Sequence, residues 1–323
     1  MNLFAVIDSA SVSDGTKKNY RNLLHGLIHV AGDIDLVTAL GNVKGFLEAL
    51  WKMVGVKNRA GFVRVKDYLK LILALAKHSQ EFASLIPLDQ WRNEFNLVNE
   101  KVLEFYSRNT PSLRQQLGYI PFEKLVEIRD GLKRGSLERL LLMMYTVIPP
   151  ARNDYWRCQI VTPGQEVLSD NYLELGKNGA RLILRKYKTS RTYGTLETEL
   201  PRELFEEINL SLSIQPRIWL FARKDGEAYA SSNSFNSWAN RTLQRVTNNE
   251  FITLTILRNI FVNRSDLRLV ECSIVERKEV AKRMGHSWVD QQQYYSWHAC
   301  TNLEEKNQPG GEAEGRGVQS VVK

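Results

Sequence analysis

Residues 284–297 read MGHSWVDQQQYYSW, which sets Tyr295 nine positions after His286. Two upstream stretches belong with this one. Residues 149–155 are PPARNDY, an arginine placed just beyond a long apolar run, and residues 257–261 are LRNIF. A single arginine after a proline pair says little, because most such arginines lie on a surface. The ordered set is more specific, since Gly, His, Ser and Tyr must all fall in place behind two arginines.

Between the arginines, residues 179–201 (GARLILRKYKTSRTYGTLETELP) alternate with the period of a β-strand around a polar centre that holds Gly194, the pattern of a hairpin. Lys177, Arg181, Arg185, Lys186, Lys188 and Arg191 follow one another here with no acid among them. Such a run suits a phosphate backbone. It equally suits a solvated edge whose charges discourage aggregation.

Outside this region the apolar residues recur with helical spacing. Four amphipathic runs are expected in the first third: 17–30, 43–54, 62–78 and 88–106. Helices at this density make a small bundle, assigned to residues 1–110. The polar stretch 107–118, with a Pro and a Gly, reads as a linker. Beyond it, 121–131 and 136–147 read as helices. The second is apolar almost all round and therefore buried, and Pro149 and Pro150 end it. A helical pattern resumes near Pro201 and runs to about Trp297. Residues 111–298 are thus one domain, and 299–323, with QPGGEAEGRG, a tail. The fold class expected is mainly α with a small β component, in two domains: a helical bundle and an α+β domain.

Composition narrows the function classes. The chain has 323 residues, 43% hydrophobic and 25% charged, which excludes collagen-like and wholly disordered chains. A formal net charge of +8 makes an anionic partner reasonable without requiring one. Cys158, Cys272 and Cys300 are widely spaced and form no CxxC pair. His25 and His29 have helical spacing but no acidic or cysteine ligand beside them. No metal or other cofactor is therefore expected. The N-terminus has no secretory pattern and no apolar run is long enough for a bilayer, so the expected location is intracellular, and nuclear if the source is a eukaryotic element or virus.

With these pieces in order, the chain resembles the tyrosine recombinases, the site-specific DNA recombinases and integrases that use a tyrosine nucleophile. PPARNDY and YKTSRTYG look most like the recombinases of crypton-type mobile elements and of large eukaryotic DNA viruses. The resemblance covers motifs from Arg152 to Trp297, and the N-terminal bundle corresponds in size and position to the family's core-binding domain. It implies double-stranded DNA as partner, a tetramer on DNA from a monomer or dimer when free, and no metal or ATP. It also implies one active site built from Arg152, Lys188, Arg258, His286 and the nucleophile Tyr295.

These residue types suit the chemistry. Cutting a phosphodiester needs an in-line nucleophile, stabilisation of charge on the non-bridging oxygens, and a proton for the leaving 5′ oxygen. Arg152 and Arg258 supply planar forks that stay charged at every relevant pH. His286 can donate to the same oxygens or move a proton. Lys188, at the hairpin tip, is the expected general acid, ahead of Lys186. Tyr294 is adjacent to Tyr295, and the nine-residue interval favours Tyr295. Arg181, Arg185, Lys186 and Arg191 are expected to bind DNA.

Three features depart from the family pattern. Thr255 stands in the box position where His or Lys is usual, and a hydroxyl is no acid or base near neutral pH. Tyr155 follows the first arginine by three residues where an acid is common, so Asp154 becomes the candidate orienting carboxylate. The interval from Arg258 to His286 is long, suggesting an inserted turn near 266–276. Two other functions share the pattern: a type IB topoisomerase-like enzyme, and a DNA-binding protein that kept the fold and lost the chemistry.

Overall fold

The computed structural model describes residues 1–107, 111–264 and 273–287, and the chain divides into two compact units, Met1–Arg108 and Asn109–Lys323. The first unit is helical throughout its described residues: α1 (Leu3–Ser9), α2 (Asp14–Ala31), α3 (Leu36–Gly41), α4 (Val43–Val54), α5 (Arg59–His78), α6 (Gln80–Leu85) and α7 (Leu88–Ser107). Polar caps start them. Ser13, Asp35, Asn42, Asn58 and Ser79 each accept a hydrogen bond from a backbone N–H in the first turn. The apolar stripes of α2, α4, α5 and α7 converge on Leu24, Leu27, Leu50, Leu71, Ile72 and Trp91, all fully buried. Trp91 packs edge-on against Phe46, and its indole N–H donates to the Leu40 carbonyl at 3.0 Å.

The second unit opens with α8 (Leu113–Leu117), α9 (Phe122–Gly131) and α10 (Leu137–Thr146). The stretch expected to be only linker thus holds a helical turn, because Ser112 and Gln115 close a reciprocal capping box around its start. As expected, α10 is the buried central helix, enclosed from Leu140 through Thr146. After it comes the 3-10 turn Asp154–Arg157, then β1 (Gln159–Val161), β2 (Asn171–Leu175), β3 (Ala180–Leu184), α11 (Ser190–Tyr193) and β4 (Leu196–Glu199).

The strands form one sheet in chain order. β1 runs parallel to β2, and β2–β3 and β3–β4 are antiparallel. The hairpin anticipated at 179–201 is β3–β4, with α11 inserted at its tip; β1 and β2 carry too few residues to announce themselves by period. Helices α12 (Arg202–Ile214), α13 (Ser232–Thr247), α14 (Leu254–Val262) and α15 (Ile274–Arg283) complete the unit. The helical pattern from Pro201 is interrupted between α12 and α13. There Ile218 and Leu220 bond the chain flanking Gln159 at 2.7 and 2.8 Å, extending the sheet's β1 edge. Most of the inserted turn expected near 266–276 lies outside the described residues; within them, α15 begins at Ile274 behind a capping box of Ser273 and Glu276. Tyr294, Tyr295 and the tail at 299–323 lie outside the described residues. The described architecture is mainly helical with one four-stranded sheet.

Candidate active site

Arg152 sits where the buried helix gives out. The Tyr145 hydroxyl on α10 donates to the Arg152 carbonyl, the Ala151 N–H donates to the Tyr155 hydroxyl at 3.1 Å, and the Arg152 N–H donates to the Asp154 carboxylate at 3.2 Å. The two tyrosines are wholly buried and meet edge to face, their rings 5.7 Å apart. Two rigid aromatics thus hold the backbone on either side of Arg152. Burial raises the pKa of both phenols, so each stays neutral at any physiological pH.

Arg258 lies on α14, which is buried from Ile256 through Val262. Its guanidinium is 3% exposed, and the charge is met by backbone oxygens. One nitrogen donates to the Pro150 carbonyl at 2.9 Å; another donates to the Met284 carbonyl at 3.1 Å and lies 3.3 Å from His286 Nδ1. Because a guanidinium only donates, Nδ1 is the acceptor, and the neutral ring then carries its proton on Nε2. Arg258 therefore ties together the residue two before Arg152, the end of α15, and His286.

The Gly285–His286 pair is the helix stop of α15. Gly285 takes φ +65°, its N–H donates to the Lys282 carbonyl at 2.9 Å, and the His286 N–H donates to the Ala281 carbonyl at 3.1 Å. These are the two bonds of a Schellman cap, which needs a residue tolerant of positive φ at this place. Space requires glycine as well. A Cβ on Gly285 would lie 3.0 Å from the Tyr187 ring. The Gly285 carbonyl accepts from the Arg152 guanidinium at 3.3 Å and from the Thr189 hydroxyl at 2.6 Å.

Lys188 lies between Tyr187 and Thr189, and both neighbours dock on the Gly285 turn. Its own side chain is exposed and forms no hydrogen bond or ion pair among the described residues. Asp154 is largely enclosed, and burial raises its pKa against the pull of Arg258 and Arg152. The structure thus brings Arg152, Arg258, His286 and Asp154 together, with the loop of Lys188 beside them. Thr255 is exposed, one turn before the buried Arg258, and does not join this cluster.

The basic hairpin differs from its linear reading. Strand pairing sets Arg181 opposite Glu174 and Glu199, and its guanidinium bonds Glu174 at 2.7 Å and Glu197 at 3.2 Å. Arg185 lies over the Tyr172 ring and donates to that hydroxyl at 3.0 Å. Lys186 lies 3.7 Å from Asp170. Arg191, on α11, is exposed with no side-chain hydrogen bond among the described residues. The run has no acid of its own, but β2 and β4 bring acids to it.

Sequence reasoning gave no structural role to Tyr145, Tyr155, Thr189 and Asn171, which hold the site through backbone bonds. Tyr155 and Thr189 lie inside the stretches PPARNDY and YKTSRTYG, while Tyr145 and Asn171 belong to no motif.

No family model and no curated protein matches the chain. Solved structures do. A lambda integrase dimer bound to a COC′ core site aligns with TM-score 0.56 at 12% identity, covering 98% of this chain and 96% of that one. A second lambda integrase dimer on a COC′ core site gives TM-score 0.53 at 12% identity, covering 98% and 78%. The XerA recombinase aligns over 95% of this chain and 96% of its own at 13% identity, but with TM-score 0.41, too low to carry weight. Identities this low speak to architecture, and on that count the chain has the tyrosine recombinase fold.

Proposed function

We propose that this protein cuts and rejoins double-stranded DNA as a site-specific recombinase or integrase, through a 3′-phosphotyrosine intermediate, working as a tetramer on DNA. The observation that carries the reading is the convergence of Arg152 and Arg258, from distant parts of the chain, on the Met284–Gly285 carbonyls, with His286 the next residue and its Nδ1 facing Arg258. The fold shared with integrases crystallised on DNA supports the choice of substrate.

In this reading the Arg152 and Arg258 forks bind the non-bridging oxygens of the scissile phosphate, where negative charge builds in the transition state. His286, accepting from Arg258 at Nδ1, donates from Nε2 to one of those oxygens. The Tyr295 oxygen forms the new bond to phosphorus while the bond to the 5′ oxygen breaks. Lys188 gives its proton to that departing oxygen, and the phenol's proton passes to water. Rejoining is the same step reversed, with the 5′ hydroxyl as nucleophile. The phosphotyrosine keeps the energy of the broken bond, so nothing need be hydrolysed to reseal the strand. Asp154, between the two arginines, orients them. Arg185, Lys186 and Arg191 contact the DNA backbone, while Arg181 serves the sheet.

A second reading, a DNA-binding protein without chemistry, is favoured by one observation: Thr255, in the box position, is exposed and offers no acid or base. One experiment decides between them. The full chain is incubated with a pool of nicked duplexes of randomised sequence, and protein–DNA adducts stable to denaturant are isolated. Sequencing the captured DNA identifies the target, and peptide mapping identifies the attached residue. An adduct on Tyr295, abolished in Tyr295→Phe, is expected. Binding of the pool with no adduct would establish the second reading, and an adduct lost only in Tyr294→Phe would move the nucleophile by one residue.

A further inference from the structure

The hydrogen bonds around Asn171 point to a residue with no place in the motif set. Asn171 opens β2 and is 6% exposed. Its Nδ2 donates to the Asp154 carbonyl at 3.0 Å and to the Lys186 carbonyl at 2.9 Å. Its Oδ1 accepts from the N–H of Arg185 at 3.1 Å and of Lys186 at 2.9 Å. Two donors and two lone pairs are the full capacity of a primary amide, and all four are used on backbone groups. One end of this clamp holds the turn two residues after Arg152. The other holds the chain immediately before Tyr187 and Lys188.

We propose that Asn171 is the positioning residue for the Lys188 general acid, its amide fixing the lysine loop to the segment that carries Arg152. The inference rests on the role given to Lys188 above. The loop is anchored on its far side by the Thr189 hydroxyl on Gly285, so the backbone of Lys188 is held from both directions. The exposed side chain has no hydrogen bond or ion pair among the described residues; placement of its ammonium group against a leaving oxygen is then set by this backbone. Asn is specified at position 171 because Asp lacks the two donors and would turn a carboxylate toward two carbonyl oxygens. Alanine removes all four bonds.

The test uses the full chain and a nicked duplex selected from the randomised pool, made in two forms, with oxygen or sulfur as the bridging atom to the 5′ carbon. A thiolate leaves without a proton, so the sulfur form does not need the general acid. On the oxygen substrate Asn171→Ala and Asn171→Asp should slow adduct formation roughly 10²-fold, the scale of a misplaced catalytic group, with DNA affinity by gel shift unchanged. On the sulfur substrate both variants, and Lys188→Ala, should return to the wild-type rate. Thermal melting of each variant separates a misplaced loop from simple unfolding. Equal slowing on both substrates, no slowing on either, or loss of folding in both variants would overturn the proposal. A Lys188→Ala variant that cleaves the oxygen substrate normally would instead overturn the role of Lys188 itself, and that result is read independently of Asn171.

Discussion

Arg152 and Arg258 have the same proposed task but different structural settings, so removing them should have separable consequences. Arg258→Ala takes away the donor for the Pro150 and Met284 carbonyls and the partner of His286 Nδ1, all in a setting where the guanidinium is 3% exposed. A buried acceptor left without its partner costs about 1–3 kcal/mol. The two carbonyls together then cost roughly 2–6 kcal/mol, before any cavity is counted. For a unit of this size each kcal/mol lowers Tm by about 2–4 °C, so a fall of roughly 4–24 °C is expected. Arg152→Ala loses one side-chain bond, 3.3 Å long and at the edge of solvent. Its net contribution is about 1 kcal/mol or less, a shift of at most about 4 °C. Covalent adduct formation should nevertheless fall by about 10²–10³ in both, since each removes a donor to the transition-state phosphate. Differential scanning calorimetry of the full chain and an adduct time course on the selected duplex read the two quantities. The reasoning fails if Arg258→Ala melts with the wild type, or if Arg152→Ala is destabilised as much as Arg258→Ala.

Gly285→Ala places a side chain at φ +65° and 3.0 Å from the Tyr187 ring. It should cost roughly 1–2 kcal/mol for the backbone alone and slow adduct formation by shifting the carbonyl that Arg152 and Thr189 share; a variant with unchanged Tm and rate would refute the steric account. Burial leaves Asp154 more protonated in the folded than in the unfolded chain, so its contribution to stability is complete below the ordinary carboxyl pKa and lost as pH rises through the raised folded value. Asp154→Asn, which cannot ionise, should gain Tm relative to wild type as pH goes from acid to neutral, and a pH-independent difference in thermal melts would contradict this. Glu207, 1% exposed, accepts from the Gly135 N–H at 2.6 Å and faces Arg139 at 3.4 Å and Arg134 at 3.6 Å. Glu207→Ala leaves the Gly135 N–H without its acceptor at a cost of about 1–3 kcal/mol, while Arg139 keeps Asp130 at 3.2 Å; Glu207→Gln, which also lacks the charge but keeps an acceptor for Gly135, should cost less, and equal melting temperatures for the two would remove that hydrogen bond from the explanation.

Much of this architecture was legible because it is periodic. The stripes of α2, α4, α5 and α7 and the apolar run of α10 are long enough for a 3.6-residue repeat to declare itself. β1, with three residues, and the turn at Leu113–Leu117 are too short to do so, and the first is defined only by pairing with β2. The site divides in the same way. Arg152, Arg258 and His286 were found because their side-chain chemistry is distinctive and ordered along the chain. Asn171, Tyr145 and Thr189 act on backbone groups, and no residue type is reserved for meeting a carbonyl. The ion pairs of Arg181 were not legible for a related reason: the charge of a strand depends on its neighbours, and Glu174 is separated from it by a turn while Glu197 is separated by the whole hairpin tip.

The burial of Arg258 changes how the two functional readings should be weighed. Had the chain lost its chemistry, Arg258 would still be needed to satisfy the Pro150 and Met284 carbonyls, Gly285 to stop α15, and Tyr145 to hold the turn after α10. Their presence therefore serves the fold as well as the reaction, and their loss alone would not separate the two. Lys188 is different. Its side chain makes no bond that the described fold depends on, and two neighbouring residues dock the loop that carries it. An exposed cation held by its backbone beside Arg152 and the buried Arg258 has no structural duty among the described residues to account for it, so the chemistry is best interrogated there. The substrate with a sulfur leaving atom does so directly, because it separates a missing proton from a disordered site.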